Sequence, residues 1–407
     1  MSRFDIAITG MGLATAAGIG VAANWARICA GAPAARTDPT LAGQPVDFSC
    51  RVPEFDANEL FGRQLAWRLD RFVQLAMIAA REAVTGSGHD TAAWDGTRVG
   101  VVIGNSLGGT ATFEAQHRVF QDSGAEDVSP LMIPMGMVNM VTGYVAMDCG
   151  ALGPSLTTAT ACASGATAIG VARGLLDSQV CDVVIAGGTE SALSPATMAA
   201  LHQMGALSKR RDDPATASRP FDVSRDGFVA AEGAGMVVLE RAADARARGA
   251  RIHALITGFG SASDIHHATA PDPQGAGLER AVRAALLDAQ LDAADIAYVN
   301  AHGTSTPIND AVEARALTRL FGTDAAVTST KGITGHPLAG AGAIEAIYTA
   351  LTIQHATVPP TVNLRDIDPE INLDLVTGAQ RGMRVKAAVS TSLGFGGNNA
   401  ALVLTAA

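Results

Sequence analysis

The chain carries one phrase twice. Ile8-Thr9-Gly10-Met11-Gly12 returns as Ile256-Thr257-Gly258-Phe259-Gly260, and further echoes follow in the same order. The apolar run Val101 to Asn105, ending near Gly108-Gly109, is matched by Ile296 to Ala301, ending at His302-Gly303. The strand-then-helix pattern around Cys162 has a counterpart in Ala326 to Thr330 and the helix from Gly340 onward. Val183 to Ala186 with Gly187-Gly188 is echoed by Ala387 to Thr391 with Gly396-Gly397. Reuse of apolar strands ending in glycine turns would explain any one echo; an ordered series indicates a duplicated βα unit. The expected organisation is an N-terminal half, 1–250, and a C-terminal half, 251–407, with no Gly/Ser or Pro linker between them.

Apolar β-branched strands alternate with Ala-rich amphipathic helices, which predicts buried sheets with helices on their faces. The clearest helical patterns are Ala168 to Asp177, Leu278 to Gln290, Ala311 to Leu320 and Ala343 to Gln354. The N-terminus reads as a strand, Asp5 to Thr9, followed by a turn at Gly10-Met11-Gly12. The least regular stretches are Ala32 to Gly62, Lys209 to Gly227 and Pro359 to Pro369. The middle one, charged from Lys209 to Asp213, reads as a solvated loop or as the rim of a site.

Hydrophobic residues make up 48% of the 407 and charged residues only 17%, so the core is extensive and part of the exterior is expected to be covered by another subunit. A net charge of −10 argues against nucleic acid or an anionic membrane as partner. Five scattered cysteines with no CxxC pair form neither a disulfide framework nor a zinc site, and fit a reducing compartment. The first residues show no signal peptide, and apolar stretches are interrupted before reaching a membrane-spanning length. A soluble, cytoplasmic protein is expected. There is no dinucleotide fingerprint and no metal-ligand spacing, so no cofactor and no metal are expected.

Chemistry is concentrated in three segments. In Thr157-Thr158-Ala159-Thr160-Ala161-Cys162-Ala163-Ser164-Gly165-Ala166, a cysteine sits where a strand breaks into a small-residue helix. A thiol at such a corner lies near the positive end of a helix dipole, which favours thiolate; a lone cysteine, however, is read first as a buried small hydrophobe. The second segment is Asn300-Ala301-His302-Gly303-Thr304-Ser305-Thr306-Pro307, and the third is Ser329-Thr330-Lys331-Gly332-Ile333-Thr334-Gly335-His336-Pro337. Each places a histidine at a strand end or strand–helix junction, where reactive groups gather in α/β folds. A cysteine with two histidines supports acyl transfer through a thioester, and two donors on one carbonyl oxygen stabilise an enolate.

Together with Ser218-Arg219-Pro220-Phe221-Asp222, Arg225-Asp226-Gly227-Phe228-Val229 and Leu393-Gly394-Phe395-Gly396-Gly397-Asn398-Asn399, these segments resemble the β-ketoacyl-[acyl carrier protein] synthases over essentially the whole chain. The resemblance implies the thiolase fold, an α/β body of five layers (αβαβα) built from two pseudo-duplicated halves. It implies condensation of an acyl-enzyme thioester with malonyl-acyl carrier protein, in type II polyketide or fatty acid biosynthesis. Acyl carrier protein would be the partner and would bring the phosphopantetheine arm. The assembly would be a homodimer, or a heterodimer with a chain-length-factor-like homologue. A thiolase, with a second catalytic cysteine near its C-terminus, fits less well, because the last cysteine here is Cys181.

Carried over by position, Cys162 is the nucleophile, and His302 and His336 bind the malonyl thioester carbonyl. The N–H groups of Cys162 and Phe395 would hold the oxyanion, and Phe395 would gate the acyl pocket between its flanking glycines. Lys331 would be held by acidic partners such as Glu313, Asp310 or Glu345. Thr304 and Thr306 match positions that bind the phosphopantetheine arm, with Gly394 beside them in the substrate site. Leu107, Ala161, Thr197, Leu201 and the segment Leu131 to Pro134, the last from across a dimer interface, would shape the acyl pocket.

The chain also departs from the pattern. Asn309 replaces a usual glycine, Asn398 a threonine and Leu393 a phenylalanine; Gly124 to Asp127 is acidic where basic residues are common, and Gly205 stands for an arginine. Arg63, Arg68, Arg71, Lys209, Arg210 and Arg211 remain as candidates to meet an acidic carrier.

Overall fold

The computed structural model describes residues 4–407. The first half supplies strands β1 (Ile6–Thr15), β2 (Val99–Gly104), β3 (Ser155–Thr158), β4 (Val183–Ser191) and β5 (Glu232–Arg241). The second supplies β6 (Ala254–Ser263), β7 (Tyr298–Asn300), β8 (Ala326–Thr328), β9 (Asp374–Leu375), β10 (Ala387–Gly394) and β11 (Asn398–Thr405). The helices that matter for the site are α1 (Arg71–Ser87), α2 (Thr110–Ser123), α3 (Met140–Cys149), α4 (Ser164–Asp177), α5 (Pro195–Gln203), α6 (Ala276–Ala289), α7 (Pro307–Phe321), α8 (Lys331–Thr334) and α9 (Ala341–His355).

The duplication is written into the hydrogen bonding. Outward from the middle, the first half runs β1-β5-β4-β2-β3 and the second β6-β11-β10-β7-β8, with β9 added at the far edge. In each half the two inner pairings are antiparallel and the two outer ones parallel. The halves join where Ile6 to Ile8 pair antiparallel with Ala254 to Ile256. Both inner ladders skip one residue at the same point of the repeated phrase, Thr9 in β1 and Thr257 in β6. A β-bulge there adds local twist.

Helices α4 and α9 form the middle layer. Every residue of α9 from Ala341 to Ile353 is buried, and most of α4 is. Helices α1 and α3 cover the outer face of the first sheet, and α6 and α7 that of the second. This is the expected αβαβα order. A helix such as α9, apolar on all sides, is stable only when enclosed by two sheets.

One local expectation is corrected. Gly10-Met11-Gly12 is not a turn; β1 continues through it to Thr15. A Cβ at Gly10 or Gly12 would lie 1.9 Å from the carbonyl oxygens of Ala83 or Ala79 in α1, and one at Gly258 or Gly260 would lie 2.1 Å from those of Ala285 or Ala281 in α6. The glycines repeat because a helix docks on the same spot of the central strand in each half. The Gly187-Gly188 and Gly396-Gly397 echo fails in a similar way: the first pair is mid-strand, whereas the second lies in the 3-10 turn Phe395–Gly397 after β10.

The three irregular stretches pack on one another around the histidine loops. Ala34 N–H donates to Ile333 (2.9 Å), the Asn363 amide to the Ser218 carbonyl (2.8 Å), and Arg365 N–H to the Asp222 carboxylate (2.9 Å).

Candidate active site

The corner after β3 leads through a 3-10 turn, Ala161–Ala163, into α4. Ala161 takes φ +50°, a left-handed conformation that a side chain rarely adopts. Hydroxyls hold it there. Ser164 Oγ accepts from Thr160 N–H (2.9 Å) and donates to the Ala161 carbonyl (2.6 Å), and Ser106 Oγ lies 2.9 Å from it. Behind Ser106, the buried Glu190 carboxyl accepts from the N–H groups of Ser106 and Leu107 (both 3.2 Å) and from the Asn105 amide (2.9 Å).

Cys162 at this corner is buried, and burial pushes its thiol up to about 12 although the Lys331 charge pulls the other way. Desolvation thus opposes the thiolate that the helix end favours. His336 Nε2 stands 3.1 Å from Sγ.

His302 follows β7, which carries it to the carboxyl end of the second sheet. Its N–H and that of Gly303 donate to the two oxygens of Glu313 (2.8 and 2.7 Å), and Thr391 Oγ1 donates to the same carboxylate (2.7 Å). His336 follows α8; its N–H donates to the Val229 carbonyl (2.8 Å), and its ring meets Phe228 edge-on at 5.2 Å. The two imidazoles stand edge to face, 5.2 Å apart.

Lys331 lies behind them. Its Nζ donates to the His302 carbonyl (2.6 Å), faces His302 Nδ1 at 3.4 Å and is ion-paired with Glu345. An ammonium has no lone pair, so the Nδ1 it faces must present one, which leaves the proton on Nε2. Burial first, and the Lys331 charge second, hold both imidazoles well below the usual histidine range. Both rings are neutral at pH 7.

Of the three acids expected around Lys331, Glu345 makes the ion pair. Glu313 is engaged by backbone N–H groups, and Asp310 accepts from Phe221 N–H (2.8 Å) and Ser305 N–H (3.1 Å), with Arg225 Nε at 3.8 Å. Asp310 is thus corrected from a lysine partner to the anchor of two left-handed residues, Phe221 (φ +67°) and Ser305 (φ +70°). With Ala161 and Leu338 (φ +42°), these are four of the eight non-glycine residues at positive φ among the described residues, so backbone strain concentrates around the site.

Cys162, His302 and His336 open into one cavity of about 850 Å³. Its lining includes Leu107, Ala161, Thr197, Leu201 and Met204, as well as Thr304, Thr306, Pro271 and Ile308, together with Gly394 and Phe395. A Cβ at Gly394 would sit 2.4 Å from the Thr160 carbonyl oxygen and 3.2 Å from Cys162 N, so only glycine lets the Phe395 turn reach the nucleophile corner. The segment Leu131 to Pro134 does not line this cavity within one chain. The sulfur and one ring nitrogen of each histidine lie within 4.8 Å of one another.

The sequence left Glu190 and Phe228 without roles. Phe228 stood in a motif already singled out; the signal for Glu190 is an acid inside an apolar strand. Among the basic candidates, Arg71 is held by Glu232 (2.8 Å), Arg211 by Asp47 (2.6 Å) and Arg210 by the Ser224 carbonyl (2.8 Å), whereas Arg63, Arg68 and Lys209 are exposed.

Comparison with known proteins gives the same picture. Residues 3–245 match the model of the β-ketoacyl synthase N-terminal domain, and residues 253–365 that of the C-terminal domain. The chain is 42% identical to 3-oxoacyl-[acyl-carrier-protein] synthase 2 of Synechocystis sp. (strain ATCC 27184 / PCC 6803 / Kazusa), covering 99% of this chain and 98% of that one. Among solved structures it is similar to the ishigamide ketosynthase/chain length factor (TM-score 0.94, 30% identity, all of both chains). It is also similar to AntDE:AntF, a type II acyl-carrier protein in complex with its ketosynthase (TM-score 0.91, 27% identity, all of both chains). No helix among the described residues is long and apolar enough to cross a membrane.

Proposed function

The chain belongs to the β-ketoacyl synthase family, and on that premise we propose that it catalyses decarboxylative condensation of an acyl group, held on Cys162, with malonyl-acyl carrier protein. The observation that carries this reading is the convergence of one thiol and two neutral imidazoles on one cavity. In the first half-reaction Sγ attacks the acyl thioester. Its proton passes to His336 Nε2 and on to the departing pantetheine sulfur, leaving an acyl-cysteine. In the second, His336, its ring proton now carried on Nε2, donates together with His302 Nε2–H to the malonyl thioester oxygen, carbon dioxide leaves, and the enolate carbon attacks the acyl carbonyl. The N–H groups of Cys162 and Phe395 receive the oxyanion. Collapse releases 3-oxoacyl-acyl carrier protein and a cysteine thiolate, which takes up one proton. Loss of carbon dioxide drives the step, so no cofactor is called for.

The pantetheine arm enters along Thr304 and Thr306, whose hydroxyls lie 2.9 Å apart, and the acyl chain runs toward Leu107, Thr197 and Leu201, with Phe395 between the two arms. The nucleophile belongs to the half 1–250 and the histidines to 251–407. Identity to the curated relative supports fatty acyl elongation, whereas likeness to ketosynthase/chain-length-factor structures and the altered Thr197 and Leu201 support polyketide synthesis. The molecule acts as a dimer in the cytoplasm, as a homodimer or with a chain-length-factor-like partner. Supporting this, the outer edge of β3 is unpaired and exposes Leu156, and α2 buries none of its own residues within one chain.

His302→Ala and His336→Ala test the roles. Both are expected to release no carbon dioxide from malonyl-acyl carrier protein; His302→Ala should still carry an acyl group on Cys162, whereas His336→Ala, lacking the base beside the sulfur, should acylate slowly. Wild-type release by both would remove the histidines from the mechanism.

A further inference from the structure

Asn309, on the first turn of α7, lies where two structural systems meet. Its backbone N–H donates to Thr306 Oγ1 (3.3 Å), the N-cap hydroxyl that also contacts Thr304. Its side-chain amide nitrogen donates to Asp310 Oδ1 (3.2 Å) and to Glu313 Oε2 (3.4 Å). Both neighbours are carboxylates, so the orientation of the amide is fixed: the oxygen end could not face two acceptors. Asp310 and Glu313 are fully buried one helical turn apart, and each already has a task. Glu313 seats the N–H groups of His302 and Gly303; Asp310 seats Ser305 and Phe221.

We propose that Asn309 is a positioning residue whose amide bridges these two carboxylates, lets both remain charged side by side, and so keeps His302 seated beneath the pantetheine-binding threonines. Two like charges this close disfavour each other's ionisation unless donors stand between them. Arg225 faces the pair from the loop before β5, Lys331 from α8, Glu345 from α9, and the Thr391 hydroxyl from β10. Among the described residues, only Asn309 is hydrogen-bonded to both members. Burial pushes Asp310 up to about 6 even with these donors and raises Glu313 in the same direction. Cys162 and His336 make no hydrogen bond to this network, so its failure should strike the decarboxylation half of the reaction.

The inference rests on the condensing reading given above. Its test is the pH profile of malonyl-carrier-protein decarboxylation by the full-length protein and by Asn309→Gly and Asn309→Asp, with iodoacetamide alkylation of Cys162 followed in the same preparations. Loss of a hydrogen bond to an ionised carboxylate raises its pKa, so the acid limb should move to higher pH, by about one unit in Asn309→Gly and further in Asn309→Asp. Below both limbs this is a roughly tenfold fall in rate. The alkylation profile should stay that of the wild type. Acid limbs unchanged in both folded variants, or alkylation shifting in step with decarboxylation, would overturn the assignment. A wild type that decarboxylates nothing would instead refute the condensing function. Should Asn309→Asp not fold, Asn309→Gly alone decides.

Discussion

At the scale of single residues, the site separates groups that react from groups that hold them. Lys331 is a holder: its ammonium fixes the tautomer of His302 and pairs with buried Glu345. Lys331→Met leaves that carboxylate unpartnered and is expected to destabilise by about 3–5 kcal/mol, read by urea unfolding; Lys331→Met with Glu345→Gln should recover most of the loss. Glu190 gives a pH signature. Burial pushes it up to about 8 from an ordinary value near 4.5, so between these limits the folded chain holds a proton that the unfolded chain has released. Stability from this group is therefore full below about pH 4.5 and lost as pH rises toward 8. Glu190→Gln should lose less stability than the wild type between pH 5 and pH 8; equal losses in thermal melts would show that Glu190 does not titrate there. Cys162, His302 and His336, the residues proposed to react, stood out in the sequence because each sits in a glycine- or threonine-rich loop beside a strand or a short helix. The holders were less so: Glu190 grips Ser106 and Leu107 from more than eighty positions away, and Asp310 was assigned to Lys331 when its partners are backbone N–H groups on two other loops.

At the scale of elements, the repeated Gly-x-Gly phrase marks helix docking rather than chain reversal. Gly10→Ala and Gly258→Ala each place a methyl against a helix carbonyl and should cost about 2–4 kcal/mol, measured by chemical unfolding. Gly174→Ala is the control: it lies exposed in α4 with nothing within 4 Å of the added Cβ, and helix propensity alone should make it neutral or up to about 1 kcal/mol more stable. Equal effects at all three positions would refute the docking explanation. Periodicity located the helices to within a few residues, since α7 and α9 show in their apolar spacing. It misread the central strands, because a glycine inside a strand and a glycine in a turn look alike until the packed helix is known.

At the scale of the whole molecule, two halves of identical strand order bring their carboxyl ends together, and the sulfur of one meets the imidazoles of the other. The ordered echoes pointed to a duplicated βα unit, and the strand-end positions of the three segments to their meeting. The acyl pocket was less legible, because Leu131 to Pro134, expected to shape it, lie outside the cavity of a single chain. If the open edge of β3 joins a second subunit, Leu156→Lys should shift the sedimenting species from dimer to monomer; an unchanged dimer would place the interface elsewhere. The account as a whole stands on acyl transfer to Cys162, and intact-mass analysis tests it directly. Incubated with an acyl-carrier-protein thioester, the wild type should gain a single acyl mass, mapped to the peptide containing Cys162 and discharged when malonyl-acyl carrier protein is added. An adduct that forms equally on Cys162→Ala, or one that malonyl-acyl carrier protein cannot discharge, would contradict it.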